Sequence, residues 1–444
     1  MPQLFTAAPV HIWLARLLVA APLLFSLGCD AGSSSSDATA GAPGAGASSS
    51  GAGAPSSSAG ASSAGAPSSS AGASSAGAAN GGASGGTAGA SGQAGTGGTP
   101  VAGDSLAAKY ADIFPIGAAV SSWHLDNVPG PLAQHFNHLT AENAMKVQDI
   151  HPAEATYDWT EADRIANFAR DHHWKMTGHN LLWHRQAPDW MFAGVTAGDT
   201  ASLEVLKGRL KAHISAVVGR YADVVDNWDV VNEAISDTAD KTYRDGTEDS
   251  KWYALFGSEE YIYWAYQYAH DALEALSPGS SKGKLYYNEY TVTVKVDKIL
   301  KMFAWLESKG IHVDGIGFQS HENMSWPAPA DLQGAFDKFV TAGYKIKISE
   351  LDVTVYSDYA TGPFVPQPEV PFTATLEAAQ AKRFADLFAV YRKNKANITS
   401  VTFWGVSDDN TWLDDDPVAG RNDYPLLFND AHQPKAAVAA IMNF

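Results

Sequence analysis

Cysteine is nearly absent from this sequence: among 444 residues there is one, Cys29. No intramolecular disulfide framework can form, so stability has to come from a large packed core. Basic residues are also scarce, with 30 Lys and Arg against 48 Asp and Glu, a net charge of −18. The first 103 residues hold only Arg16, Asp30 and Asp37, so nearly all of that charge falls in the remainder. Such a balance argues against nucleic acid or an anionic membrane surface as partner and suits a neutral one. No GxGxxG or P-loop follows an early strand, which removes support for dinucleotide or nucleotide chemistry. His172 and His173 join no metal-ligand spacing, so neither metal nor cofactor is expected.

Long apolar runs are missing too, apart from Leu17–Leu27. That run follows Arg16, ends at Gly28 and Cys29, and is too short to span a bilayer comfortably, so residues 1–29 read as a secretory signal. The stretch Ser26-Leu27-Gly28-Cys29 partly matches a lipoprotein signal, which normally carries an aliphatic residue where Ser26 sits. Export followed by release, or lipidation of Cys29 and anchoring at a membrane surface, are the two outcomes this allows. Residues 30–103 are almost entirely Gly, Ala, Ser, Thr and Pro, and GAPSSSAGASSA occurs at 53–64 and again at 65–76. Such a segment cannot bury enough apolar surface to offset its ordering entropy. It is expected to be a disordered tether with a reach on the order of 45–50 Å.

Residues 104–444 look globular and are expected to form one monomeric domain. Short β-rich runs recur at 114–120, 138–143, 175–183, 224–233, 284–290, 314–321, 344–352 and 400–408. Amphipathic stretches lie between them, among them 162–172, 206–222, 261–277, 299–310 and 375–394. Strands alternating with helices imply parallel pairing through right-handed crossovers, and eight repeats point to an α/β fold, a (β/α)8 barrel. A doubly wound sheet is the lesser alternative. In a barrel the site should gather at the C-terminal strand ends. Seven of those ends carry polar or aromatic groups: Glu142 and Asn143; His179 and Trp183; Asn232 and Glu233; Asn288; Gln319 and His321; Glu350 and Asp352; and Trp404. One such residue is usually structural, but seven in register are hard to attribute to packing. The fourth and seventh strands of a barrel face each other across its mouth, so Glu233 and Glu350 form a carboxylate pair suited to cleaving a glycosidic bond.

The motifs ENAMK (142–146), GHNLLWH (178–184), WDVVNEA (228–234), YYNEY (286–290), GFQSH (317–321), SELD (349–352) and WGVSDDNTW (404–412), in that order, narrow this further. With them the sequence resembles family 10 of the glycoside hydrolases, the endo-β-1,4-xylanase family, over nearly all of 105–444. The resemblance implies a retaining enzyme acting on xylan and xylo-oligosaccharides, with Glu233 as general acid/base and Glu350 as nucleophile. It implies that His321 orients the nucleophile and that Asn232 meets the sugar 2-hydroxyl. His179, Trp183 and Gln186 would surround the reacting sugar, and Glu142, Asn143 and Lys146 would hold the next one. Asn288, Tyr290 and Gln319 would join the binding surface, and Trp404 and Trp412 would roof the cleft and exclude a hydroxymethyl group.

Ala144, Val147 and Glu289 depart from the family pattern, which usually has an acid, a bulky aromatic and Asp there. Glu322 stands where an apolar residue is common, and the sequence offers no account of it. The aromatic run Tyr261, Tyr263, Trp264, Tyr266, Tyr268 is expected to pack on the barrel wall, and Asp414, Asp415 and Asp416 to lie in a solvated loop. Two competing functions are the same chemistry on another β-linked polysaccharide such as mixed-linkage glucan, and a binding protein that keeps the barrel without catalysis. The second has to explain why both carboxylates and their neighbours His321 and Asn232 are present.

Overall fold

A computed structural model describes residues 105–276, 283–358 and 364–444. The secretory signal, Cys29 and the Gly/Ala/Ser tether lie outside the described residues.

Eight strands close a barrel: β1 (Ile116–Val120), β2 (His138–Ala141), β3 (Lys175–His179), β4 (Val225–Asn232), β5 (Lys284–Glu289), β6 (Gly315–Phe318), β8 (Lys345–Thr354) and β9 (Ile398–Phe403). Every neighbouring pair is parallel, and β9 returns to β1 with Ile116 opposite Val401. The strands are buried on both faces, as in any parallel barrel wrapped by helices. The wrapping helices are α1 (Pro129–His135), α2 (Thr160–Asp171), α3 (Thr200–Tyr221), α4 (Glu260–Leu276), α5 (Val292–Ser308), α6 (Pro329–Thr341), α7 (Ala374–Lys393) and α8 (Ala436–Met442). Among the described residues no helix is long and apolar enough to cross a membrane.

Three expectations need correction. The predicted strand 314–321 is two strands, because Ser320 adopts a left-handed backbone (φ 60°) and breaks it. The chain then resumes as β7 (His321–Asn323), which pairs with the far end of β8, His321 opposite Asp352. This ninth strand carries His321 to the barrel mouth. Next, α5 begins seven residues before the predicted start at 299. The run Val292, Val294, Val296 looks like a strand in isolation, yet Val292, Val296, Ile299, Phe303 and Leu306 all bury one helical face. Finally, the Asp414–Asp416 loop is not simply solvated. Asp416 is buried and Asp414 accepts the backbone N–H of Asp423 at 2.7 Å, folding the segment that bears Trp412. The aromatic run on α4 does pack inward through Tyr261, Tyr266 and Tyr268, while Tyr263 and Trp264 lie half-buried against the core.

Candidate active site

The C-terminal rim of the barrel brings together side chains from β2 through β9. In β8 the pairing with β9 shifts register between Ile348 and Leu351. Strict alternation would send Ser349 and Glu350 to opposite faces, but the irregularity lets both reach Asn288. Ser349 Oγ donates to Asn288 Oδ1 at 2.6 Å, and Asn288 Nδ2 donates to Glu350 Oε1 at 2.6 Å. Room for Asn288 comes from the neighbouring strand β6, where Gly317, its register partner, has no side chain. A Cβ there would stand 2.3 Å from Asn288 Oδ1.

Glu350 is 5% exposed, and its other oxygen lies 3.2 Å from His321 Nε2. On the far side of the imidazole, Nδ1 is 2.7 Å from Asp352 Oδ2. A ring with a carboxylate on each nitrogen donates from both, which requires the imidazolium. Burial alone would lower the His321 pKa, but Asp352 and Glu350 together raise it to about 10. For Glu350 burial acts to raise the pKa, and the hydrogen bond and charge of His321 with the Asn288 donor more than reverse it. The result is an ionised carboxylate that is nearly buried. Asp352 also accepts the Trp412 indole N–H at 2.9 Å, so one carboxylate aligns both the imidazolium and an aromatic wall.

The second carboxylate is held differently. β4 ends at Asn232, and Glu233 turns the chain with φ 55°. Its Oε1 accepts Gln319 Nε2 at 2.9 Å and Asn232 Nδ2 at 3.3 Å, and its Oε2 accepts Trp183 Nε1 at 2.9 Å. Asn288 Nδ2 also donates to Asn232 Oδ1 at 2.9 Å. Glu233 and Glu350 are therefore ends of one hydrogen-bond chain that runs through Asn232 and Asn288.

The remaining expected residues frame this pair. Lys146 is buried, donates to Asn143 Oδ1 at 2.9 Å, and stands 5.0 Å from the Trp183 ring centre and 5.9 Å from that of Trp404. Asn143 in turn donates to Glu142 Oε1 at 3.2 Å. The Trp404 ring meets His179 edge-on at 5.3 Å, and Trp412 meets His321 at 5.0 Å. Gln186 carries a left-handed backbone (φ 47°), and its carbonyl accepts Gln148 N, tying the β3 loop to the β2 loop. Tyr290 directly follows β5. Its hydroxyl is held between Arg244 Nη2 at 2.7 Å and Asp237 Oδ2 at 2.5 Å.

Several residues that shape the site were not foreseen. Asp352 was noted as a strand-end residue without a task. Asp229 and Lys347 form an interior ion pair at 2.7 Å, both about 1% exposed, and Asp229 also orients His179 through Nδ1 at 3.0 Å. A signal for both was present: a charged residue inside a buried barrel strand needs a partner. Glu322, unexplained by sequence, pairs with Arg383 at 2.9 Å with both side chains buried. Arg383 also donates to the carbonyls of Asn323 and Pro327, which pins the segment bearing His321 to α7.

Residues 105–444 match the profile of Glycosyl hydrolase family 10. The chain belongs to this family. Within it, the chain is 40% identical over 333 residues to endo-1,4-β-xylanase B of Paenibacillus barcinonensis, covering 74% of this chain and 95% of that protein. It is 41% identical over 347 residues to endo-1,4-β-xylanase A of Caldicellulosiruptor saccharolyticus, covering 77% and 96%. A crystal structure of an endo-1,4-β-xylanase from Caldicellulosiruptor owensensis superposes with a TM-score of 0.69 at 40% identity, covering 77% of this chain and 99% of that one. Membership of family 10 makes the barrel a glycoside hydrolase fold and the retaining mechanism the family's own.

Proposed function

We propose that the protein is a retaining endo-β-1,4-xylanase, with Glu350 as nucleophile and Glu233 as general acid/base. The observation that carries this is the single hydrogen-bond chain joining a carboxylate ion-paired to an imidazolium with a second carboxylate held by neutral groups. Glu350 attacks the anomeric carbon as Glu233 gives its proton to the glycosidic oxygen, and the carbon–oxygen bond breaks. A glycosyl ester on Glu350 results. Water then loses a proton to Glu233 and attacks the same carbon, releasing Glu350 as a carboxylate. Two inversions give net retention, which calls for carboxyl groups about 5–5.5 Å apart.

Asn232 and Asn288 hold the pair in register, and Asn232 is also the donor for the 2-hydroxyl of the reacting sugar. His179, Trp183 and Gln186 line that sugar's place, with Glu142, Asn143 and Lys146 beyond it. Trp404 and Trp412 offer flat apolar faces to the C–H surfaces of the ring. Where an indole stands near C5, a hydroxymethyl group would clash, and this favours xylose over glucose. The xylanase relatives support the same choice of substrate. The sequence of 1–29 supports export, with Cys29 the lipidation point and 30–103 the tether for a monomeric domain.

A 2-fluoro-xylobioside with a good leaving group should trap a covalent adduct that peptide mass spectrometry finds on Glu350. A label elsewhere, or α-anomeric first product by NMR, overturns the mechanism. Equal or faster turnover of mixed-linkage glucan than of xylan overturns the substrate. Failure of Glu350→Ala to reduce hydrolysis would leave a nucleophile elsewhere, while absence of any hydrolysis in the parent would favour the binding-protein reading. Mass spectrometry of the mature N-terminus tests lipidation of Cys29.

A further inference from the structure

Beneath the turn at Glu233 lies a buried cluster that takes no part in the chemistry described above. Tyr287 and Glu289 are 0% exposed, Arg244 is 2% and Lys295 is 3%. Lys295 bridges Asp237 at 2.7 Å and Glu289 at 3.0 Å, and Arg244 pairs with Asp237 at 3.0 Å. Burying two anions and two cations is a weak route to stability, since apolar side chains of similar volume often do as well. The contacts of this cluster converge instead on three successive residues.

Arg244 Nε donates to the Glu233 carbonyl at 3.2 Å, and the Arg244 backbone N–H donates to the Ala234 carbonyl at 2.8 Å. The Tyr287 hydroxyl accepts the N–H of Ala234 at 2.7 Å and of Ile235 at 3.0 Å while donating to Glu289 at 2.5 Å. Glu289 Oε2 accepts Ile235 N as well, at 3.2 Å. A left-handed backbone at a residue other than glycine costs on the order of 1–3 kcal/mol and persists only where its surroundings impose it. Here the Glu233 N–H donates to the Asn288 carbonyl at 3.0 Å, and five side chains hold the backbone that follows.

We infer that Arg244, Asp237, Tyr287, Glu289 and Lys295 act as positioning residues that impose the Glu233 turn and thereby aim the acid/base carboxylate. Tyr290, with its hydroxyl between Arg244 and Asp237, belongs to the same support. This rests on the assignment of Glu233 as acid/base, and the test separates the two. Aryl β-xylobiosides differ in their need for that acid: a dinitrophenolate departs unaided, whereas a phenolate must be protonated.

Tyr287→Phe deletes one oxygen from the cluster, and Glu233→Ala supplies the reference. Misaiming by a fraction of an ångström should lower kcat/KM on the phenyl substrate by roughly 10- to 100-fold, and by at least tenfold more than on the dinitrophenyl one. On the dinitrophenyl substrate kcat and KM should fall together, because water attack on the glycosyl enzyme still needs the base. Arg244→Lys, which keeps a cation beside Asp237, should repeat the pattern and serves where Tyr287→Phe does not fold. Equal losses on both substrates, or none, with the pattern intact in Glu233→Ala, would overturn the positioning role alone. Absence of the pattern in Glu233→Ala would remove the acid/base assignment and this inference with it.

Discussion

The two carboxylates differ in what holds them. Glu350 sits on a strand, nearly buried, against an imidazolium that a second carboxylate, Asp352, keeps charged. Glu233 sits on a left-handed turn beyond a strand, and its carboxylate receives neutral donors from Trp183, Gln319 and Asn232. As the proposed nucleophile, Glu350 has to remain an anion through the attack, so a fixed counter-charge suits it. As the proposed acid/base, Glu233 gives and takes a proton in each turnover and is better held by neutral donors and by its backbone, because no ion pair has to be broken each time. Position on strand or turn and type of partner thus separate two chemically identical side chains.

The largest effect should come from removing either carboxylate. Glu350→Ala and Glu233→Ala should each lower turnover of xylan on the order of 10⁴-fold or more. Only Glu350→Ala should also abolish cleavage of the dinitrophenyl xylobioside, while oligosaccharide binding by calorimetry survives. If both variants lose the activated substrate alike, the division between the two groups fails.

His321→Gln removes the counter-charge and should cost roughly 10²-fold in kcat. It also carries a stability signature. A histidine raised from 6.5 to about 10 on folding stabilises the native state fully below pH 6.5, and that contribution disappears as the pH rises through 10. The parent should therefore lose more of its melting temperature between pH 7 and 10 than His321→Gln, by a few degrees. Parallel melting curves would mean that the imidazole is neutral and the counter-charge absent. Glu350 has the opposite sign. Its depressed pKa stabilises the fold above its ordinary value of 4.5 and ceases to do so as the pH falls through the folded value.

Asn288 serves both carboxylates, so disturbing it should not distinguish them. Gly317→Ala, which forces a Cβ toward Asn288 Oδ1, should destabilise the protein by about 1–3 kcal/mol and lower both aryl xylobioside rates in equal proportion. Unequal losses would show that Asn288 belongs mainly to one side. The smallest effect is expected from Trp412→Phe, which keeps an aromatic face but deletes the N–H bond to Asp352. Loss of about 1 kcal/mol should appear as a few-fold drop in kcat/KM on xylan.

Much of the site was legible because barrel geometry ties function to strand ends. Glu233, Glu350, Asn232, Asn288, Gln319 and His321 each follow or close a β-rich run, and in the fold they share one hydrogen-bond network. What escaped depended on partners far apart in the chain. Glu322 was unexplained until Arg383, sixty-one residues later, came within 2.9 Å of it. The partners of the Tyr290 hydroxyl, Arg244 and Asp237, lie 46 and 53 residues back in the chain. The early start of α5 was hidden because β-branched residues favour strands locally and only burial of one face makes them helical.

Periodicity and the order of motifs, both properties of the chain alone, were enough for the parallel barrel and for the two acids that its rim brings into one hydrogen-bond chain. Tertiary structure alone decided the charge state of His321, the break at Ser320 that creates β7, the irregularity that turns Ser349 and Glu350 together, and the support under Glu233. Each of these depends on desolvation or on contacts between distant residues. Neither has a value until the chain has closed on itself.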